Sequence, residues 1–170
     1  MMEMSQRKPT RLQEYDYSEH GAYFVTICTA EKRKTLCDIV GGGAFDAPQV
    51  QLTDIGRTAE KYILSTNNIS GITVDKYVIM PNHIHLLLRV DRANGTSRAP
   101  SPTSSSRANQ LLPHVISTFK RFVNRDVGYS VFQRSFHDHV VRGDEDYRDI
   151  WRYIDENPIK WQEDCFYVDE

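Results

Sequence analysis

Two apolar runs, residues 72–80 and 83–90, are separated only by Pro81-Asn82, and they constrain this chain more than any other stretch. Both carry β-branched and large apolar side chains, and a Pro-Asn pair is turn chemistry, so the pattern predicts a β-hairpin. Side chains two apart on a strand share a face, which lets His83 and His85 aim two imidazoles at one point while Ile84 turns into the opposite, core-facing layer. Neutral imidazole binds divalent metals, and two ligands leave coordination positions for a third protein group, water or a phosphate oxygen. The same spacing also fits a plain polar strand face. A second His-x-His, His137-Asp138-His139, shows how short the pattern is.

Other elements follow from periodicity and punctuation. Residues 22–29 mix aromatic and β-branched types and read as a strand. The basic segment 31–34 and the glycines 41–43 read as an open loop. Ile55, Ala59, Tyr62 and Ile63 predict a helix over 54–65, closed by Asn67-Asn68. Residues 92–109 are rich in Ser, Pro, Ala and Arg, with almost no large apolar side chains, and read as a flexible excursion outside the core. Leu112, Val115, Ile116, Phe119 and Val123 define an amphipathic helix over 111–124, with Lys120, Arg121 and Asn124 outward. A strand over 130–141 follows. The last helix spans 145–156, with Asp144 as N-cap and Asn157-Pro158 as its stop. This order suggests an α+β sandwich, an antiparallel sheet covered by helices on one side.

At 170 residues with 39% hydrophobic content, the chain fits a single domain, 1–170, with one core. It contains no apolar run of membrane-spanning length, and its N-terminus lacks the apolar core of a signal peptide, so a cytoplasmic location is expected. Cys28, Cys37 and Cys165 form no CxxC pair, which argues against a disulfide framework and a thiolate zinc site. A net charge of −2 makes no whole-molecule case for nucleic acid. Charge is uneven, however: Lys120, Arg121, Arg125, Arg134 and Arg142 face only Asp126 and Asp138 between His114 and Arg142. These five could neutralise a nucleic-acid backbone or simply keep the surface soluble. Arg7, Lys8 and Arg11 could form a further basic arm, or only a frayed terminus.

On the last helix, Tyr147, Ile150, Trp151 and Ile154 make one apolar stripe. Tyr153 and Asn157, four apart, lie along its edge, with Asp146 and Asp149 near the same side. An edge position sets a phenol at the border of core and solvent, where a nucleophile facing a metal on the sheet would sit. Such a position also suits an ordinary amphipathic tyrosine.

The segments MPNHIHLLL and SVFQRSFHDHVVRGDEDYRDIWRYIDENPIKW, with FVTICT and LTDIG earlier, closely resemble the bacterial REP-associated tyrosine transposases, relatives of the single-tyrosine HUH (His, hydrophobic, His) transposases. The likeness covers most of the chain outside 92–109. It implies a ferredoxin-like HUH core, an antiparallel sheet with helices packed on it. It further implies Mg²⁺ or Mn²⁺ at His83 and His85, Asn157 completing the metal shell, and Tyr153 as nucleophile. His137 and His139 fall in that family's Asp-His-x-Ile-Arg-like segment, here DHVVR, and read as packing support or a DNA contact. Phe132 stands where many relatives carry Trp; the acidic charge and the Ser/Pro-rich excursion also depart from the pattern.

The implied activity is nicking and strand transfer on single-stranded or hairpin DNA through a 5′-phosphotyrosine. An ordinary phenol titrates near pH ~10, so a metal or a neighbouring base must assist its deprotonation. Two other readings are a water-using metal hydrolase built on both His pairs and a non-catalytic hairpin-binding protein. Some relatives assemble the site as a homodimer, whereas the REP-associated branch implies a self-sufficient monomer.

Overall fold

The computed structural model describes residues 21–41, 47–91 and 111–168. The excursion expected at 92–109 and the basic residues Arg7, Lys8 and Arg11 lie outside them. Strands β1 (Gly21–Cys28), β4 (Ile72–Ile79), β5 (His83–Val90) and β6 (His137–Val140) form one sheet in the order β4-β5-β1-β6, antiparallel throughout. A second, two-stranded sheet pairs β2 (Cys37–Val40) with β3 (Gln49–Leu52). The helices are α1 (Asp54–Thr66), α2 (Leu111–Val127) and α3 (Gly143–Glu156). Without the β2–β3 hairpin, the succession β-α-β-β-α-β with the third strand between the first and second is the ferredoxin-like arrangement.

Strand alternation gives the main sheet two different faces. On one, Tyr23, Val25 and Ile27 of β1 and Ile84, Leu86, Leu88 and Val90 of β5 pack on Ala59 and Ile63 of α1 and Leu112, Val115, Ile116, Phe119 and Val123 of α2. On the other, Leu87 packs on Ile150 and Ile154 of α3, with Ala22, Phe24 and Val78 around them. Helices therefore cover both faces, not the single face that the sequence suggested. The alternation of β5 explains this: Ile84, Leu86 and Leu88 fill one layer, while Leu87, in phase with His83 and His85, needs apolar cover of its own. Burying Ile154, 1% exposed, contributes about 2 kcal/mol toward holding α3 there. Tyr147 adds a hydrogen bond from its hydroxyl to Asp75 Oδ2 at 3.0 Å.

Local chemistry fixes the ends of the elements. Thr53 caps α1, its Oγ1 accepting from the Gly56 N–H at 3.1 Å. Gly56 has no substitute, because a Cβ there would stand 2.0 Å from the Leu36 carbonyl oxygen. The last helix starts at Gly143 with Arg142 as N-cap, two residues earlier than the Asp144 cap expected. No side chain caps its first-turn amides, but Asp146 Oδ2 reaches back to accept from the Arg142 N–H at 2.8 Å, the return half of a capping box. The strand expected over 130–141 shortens to β6, preceded by an isolated bridge between Thr29 and Phe132. The predicted loop around 31–43 contains β2, which the sequence reading missed. Trp151, assigned to the buried stripe, is 38% exposed. Its ring instead carries the Lys76 ammonium, 4.3 Å from the centroid.

Among the described residues, no helix is long and apolar enough to cross a membrane. The three cysteines are free, and burial pushes the Cys28 thiol up to about 11 and the Cys37 thiol up to about 12, as suits inert structural side chains.

Candidate metal and tyrosine site

His83 and His85 begin β5, in the middle of the sheet, opposite Cys28 and Thr26 of β1. They are 0% and 1% exposed, and their Nε2 atoms lie 3.0 Å apart. The tautomer of His83 follows from its surroundings. Asn82 Nδ2 donates to the Phe166 carbonyl at 2.8 Å, and a carbonyl can only accept, so Asn82 turns its Oδ1 to His83 Nδ1, 2.9 Å away. That nitrogen must then carry the hydrogen, which leaves a lone pair on Nε2, aimed at His85. On its far side His85 Nδ1 meets the Thr26 hydroxyl at 2.8 Å, a partner able to donate or accept. Two Nε2 atoms this close suit one shared proton or one shared divalent ion, and the outer partners are of the kind that orient metal-binding histidines.

Burial strips both imidazoles of water and disfavours their charged forms. It lowers His83 to about 4, and it holds His85 well below the usual histidine range, with His83 as a further cause. Both are neutral at pH 7, the form that binds metal. The Phe24 ring stacks on His85 at 5.0 Å and the Phe166 ring lies 4.8 Å from His83, so aromatic rings wall the pair.

The edge position read for Tyr153 is the one observed. The residue is 40% exposed, and its hydroxyl lies 3.4 Å from His85 Nε2 while donating to Asp164 Oδ2 at 2.9 Å. Burial, and after it the Asp164 carboxylate, push the phenol above the usual tyrosine range. Asn157, one turn on, donates from Nδ2 to the same Asp164 oxygen at 2.9 Å. Its Oδ1 is buried without a hydrogen-bond partner, a carbonyl-type oxygen ready for a cation. A donor set of two neutral imidazoles, a carboxylate and an amide oxygen fits a divalent ion such as Mg²⁺ or Mn²⁺.

Asp164 is the residue that sequence reasoning missed. Its carboxylate and the two imidazoles offer ligand atoms all within 4.8 Å of one another. It follows Trp161–Glu163, a short 3-10 turn beyond the last helix, and no helical or strand period ties it to Tyr153. The only hint was an acid set among Trp161, Phe166 and Tyr167. Conversely, Asp146 and Asp149 do not join the knot. Asp146 pairs with His139 at 2.9 Å and Asp149 with Arg152 at 3.6 Å. His139 thus braces the start of α3, and His137 lies 6.2 Å from the Phe166 ring.

The five basic candidates do not gather into one patch. Lys120 was expected outward but is only 8% exposed. Its ammonium donates to the carbonyls of Ser135 at 2.8 Å, Gln133 at 2.9 Å and Arg134 at 3.4 Å, and lies 5.7 Å from the Phe136 ring. The flexible stem runs along the apolar face of α2, so its charge reaches inward to carbonyls that the irregular 130–136 segment leaves unpaired by a strand. Arg121 and Arg125 are exposed on α2, in the layer across the sheet from the imidazoles. Arg125 pairs with Asp126 at 2.9 Å and donates to the Tyr62 hydroxyl at 3.0 Å. Arg134 and Arg142 are exposed on either side of β6.

These features define a ferredoxin-like domain whose central strand carries a His-x-His pair beside a helix-borne tyrosine. Known proteins are similar to it in fold and in sequence. The fold is that of a REP-associated tyrosine transposase solved bound to a REP hairpin, with TM-score 0.57 at 19% identity over 89% of this chain and 73% of that one. In sequence, the chain is 29% identical over 179 residues to an uncharacterised protein of Haemophilus influenzae, spanning 96% of this chain and 94% of the relative. It is also 26% identical over 146 residues to a candidate REP-associated tyrosine transposase of the same organism, spanning 85% and 74%. No family model matches the chain. The chain thus resembles the REP-associated tyrosine transposases in sequence and in fold.

Proposed function

We propose that this chain is a transposase-type enzyme that nicks and rejoins single-stranded DNA at hairpin-forming repeats, using Tyr153 as nucleophile and Mg²⁺ or Mn²⁺ as cofactor. One observation carries the reading: the Tyr153 hydroxyl lies 3.4 Å from His85 Nε2, in the same knot as His83. The likeness to a transposase bound to a REP hairpin supports hairpin DNA as the substrate class.

His83 and His85, with Asn157 Oδ1, would hold the ion. When bound it polarises a phosphoryl oxygen and favours the ionised phenol. Tyr153 supplies the attacking oxygen, forming a bond to phosphorus as the bond to the 3′-oxygen breaks. The products are a 5′-phosphotyrosine and a free 3′-hydroxyl. Asp164 Oδ2 already accepts the phenol hydrogen bond and aligns the hydroxyl beside His85. Phe24 and Phe166 pack on the imidazoles and limit their contact with water. Attack by another 3′-hydroxyl reverses the step and joins strands without ATP. Of the basic residues, Arg134 and Arg142 are exposed beside the edge strand and suit backbone phosphates, whereas Lys120 is engaged inside the protein.

The test is to incubate labelled hairpin DNA with the protein and Mn²⁺ or Mg²⁺ and resolve the products on a denaturing gel. Cleavage is expected from the wild type and not from Tyr153→Phe. Equal cleavage by both would reject the assignment of the nucleophile.

A further inference from the structure

We infer that Asp164 is the anionic ligand of the metal centre, joining His83, His85 and Asn157 Oδ1, so that the segment after α3 completes what the strand begins. This rests on the reading of His83 and His85 as the metal pair.

Charge gives the first argument. Two neutral imidazoles, 0% and 1% exposed, would leave a doubly charged ion in low dielectric with no compensating anion. Asp164 is the carboxylate whose oxygen lies with both imidazole nitrogens inside 4.8 Å. Geometry gives the second. The carboxylate is held in place by protein donors, since its Oδ1 accepts the Phe166 N–H at 2.7 Å and its Oδ2 accepts from Asn157 Nδ2 and the Tyr153 hydroxyl, each at 2.9 Å. Such preorganisation is what a ligand position needs. A carboxylate is acceptor-only, so Asn157 must turn its amide nitrogen toward Asp164, which makes that residue the brace of the anion.

The third argument is the double anchoring of the C-terminal segment. Phe166 gives its N–H to Asp164 and its carbonyl to Asn82, the residue that sets the His83 tautomer. One short loop therefore positions both the anion and the first imidazole. Two imidazoles, a carboxylate and remaining open positions suit a metal that must also receive a phosphate oxygen. Loading the site would tie residues 161–167 to the sheet.

Metal binding can be read without DNA or turnover. Trp161 lies 5.8 Å from His83, and Trp151 is the other of the two tryptophans, so Trp151→Phe leaves a reporter beside the site. Metal-free protein of this background is titrated with MnCl2, following Trp161 emission and the loss of the free-ion electron paramagnetic resonance signal. One Mn²⁺ is expected to bind. Asp164→Asn should weaken it roughly tenfold or more, the scale of losing a supporting or direct ligand. Asp164→Cys should move the preference toward Cd²⁺, because thiolate is the softer ligand. Thermal melts without metal establish that each variant is folded. Undiminished Mn²⁺ binding by Asp164→Asn, or an unchanged metal preference in Asp164→Cys, would overturn the inference while leaving the imidazole pair intact, provided that His83→Ala/His85→Ala abolishes binding. If that double variant binds Mn²⁺ like its parent, the pair itself is misread and the inference falls with it.

Discussion

Replacing Lys120 with Met separates two accounts of a cation that the sequence offers to DNA and the fold turns inward. The ammonium donates to the Ser135 and Gln133 carbonyls at 2.8 and 2.9 Å, and more weakly to Arg134 at 3.4 Å. A hydrogen bond involving a charged group contributes about 2 kcal/mol net, so the two short bonds together contribute about 4 kcal/mol. Methionine keeps the length and apolar contacts of the stem, and the net figure already includes the desolvation of the ammonium. The expected loss is therefore about 4 kcal/mol. In urea, with a slope of about 1–3 kcal/mol per molar, the midpoint should fall by about 1–4 M with the slope unchanged. The salt dependence of hairpin binding should stay the same, because no phosphate contact is removed. A midpoint unmoved within error, together with a salt slope reduced by about one, would refute the inward role and restore Lys120 to the DNA surface.

Three further outcomes follow from the packing and the site. Alanine favours a helix over glycine by about 1 kcal/mol, yet Gly56→Ala should lower the melting temperature, because its Cβ would meet the Leu36 carbonyl oxygen at 2.0 Å; a rise in stability would contradict the close approach. Asn82→Ala removes the partner that sets the His83 tautomer and should weaken Mn²⁺ binding by about 10–100-fold in a spectroscopic titration, with unchanged affinity as the contrary result. The metal-free protein should lose stability as the pH falls from about 6.5 through about 4, since unfolding frees buried neutral imidazoles to take up protons that the native state refuses. The folded His83 is lowered to about 4, so its contribution is whole above the unfolded value and gone below the folded one, and flat denaturation midpoints across that range would contradict it.

The hairpin over 72–90 was legible because strand alternation sets both the core face and the imidazole face of β5, and the register of β1 against it confirms that phase. Tyr153 and Asn157 were legible through helical spacing. What escaped depended on partners distant in sequence. Asp164 joins the site through a loop whose path is fixed by the Asn82–Phe166 bond across 84 positions, which no local period encodes. Lys120 has the spacing of an outward side chain, and its bonds to the carbonyls of Gln133, Arg134 and Ser135, distant along the chain, draw it in. β2 is four residues long and buries little more than Cys37, too short for alternation to stand out from a loop. The second covered face was implicit in Leu87, which shares the imidazole side of its strand and could not stay bare.

The central claim is that the Tyr153 phenol and the imidazoles of His83 and His85 act on one phosphate. Mass spectrometry of protease fragments from a reaction with Mn²⁺ and hairpin DNA tests it most directly. Nucleotide attached to the peptide bearing Tyr153, and no attachment in His83→Ala/His85→Ala, is the predicted result. Attachment at a different tyrosine, or cut DNA with no protein-linked nucleotide, contradicts the account.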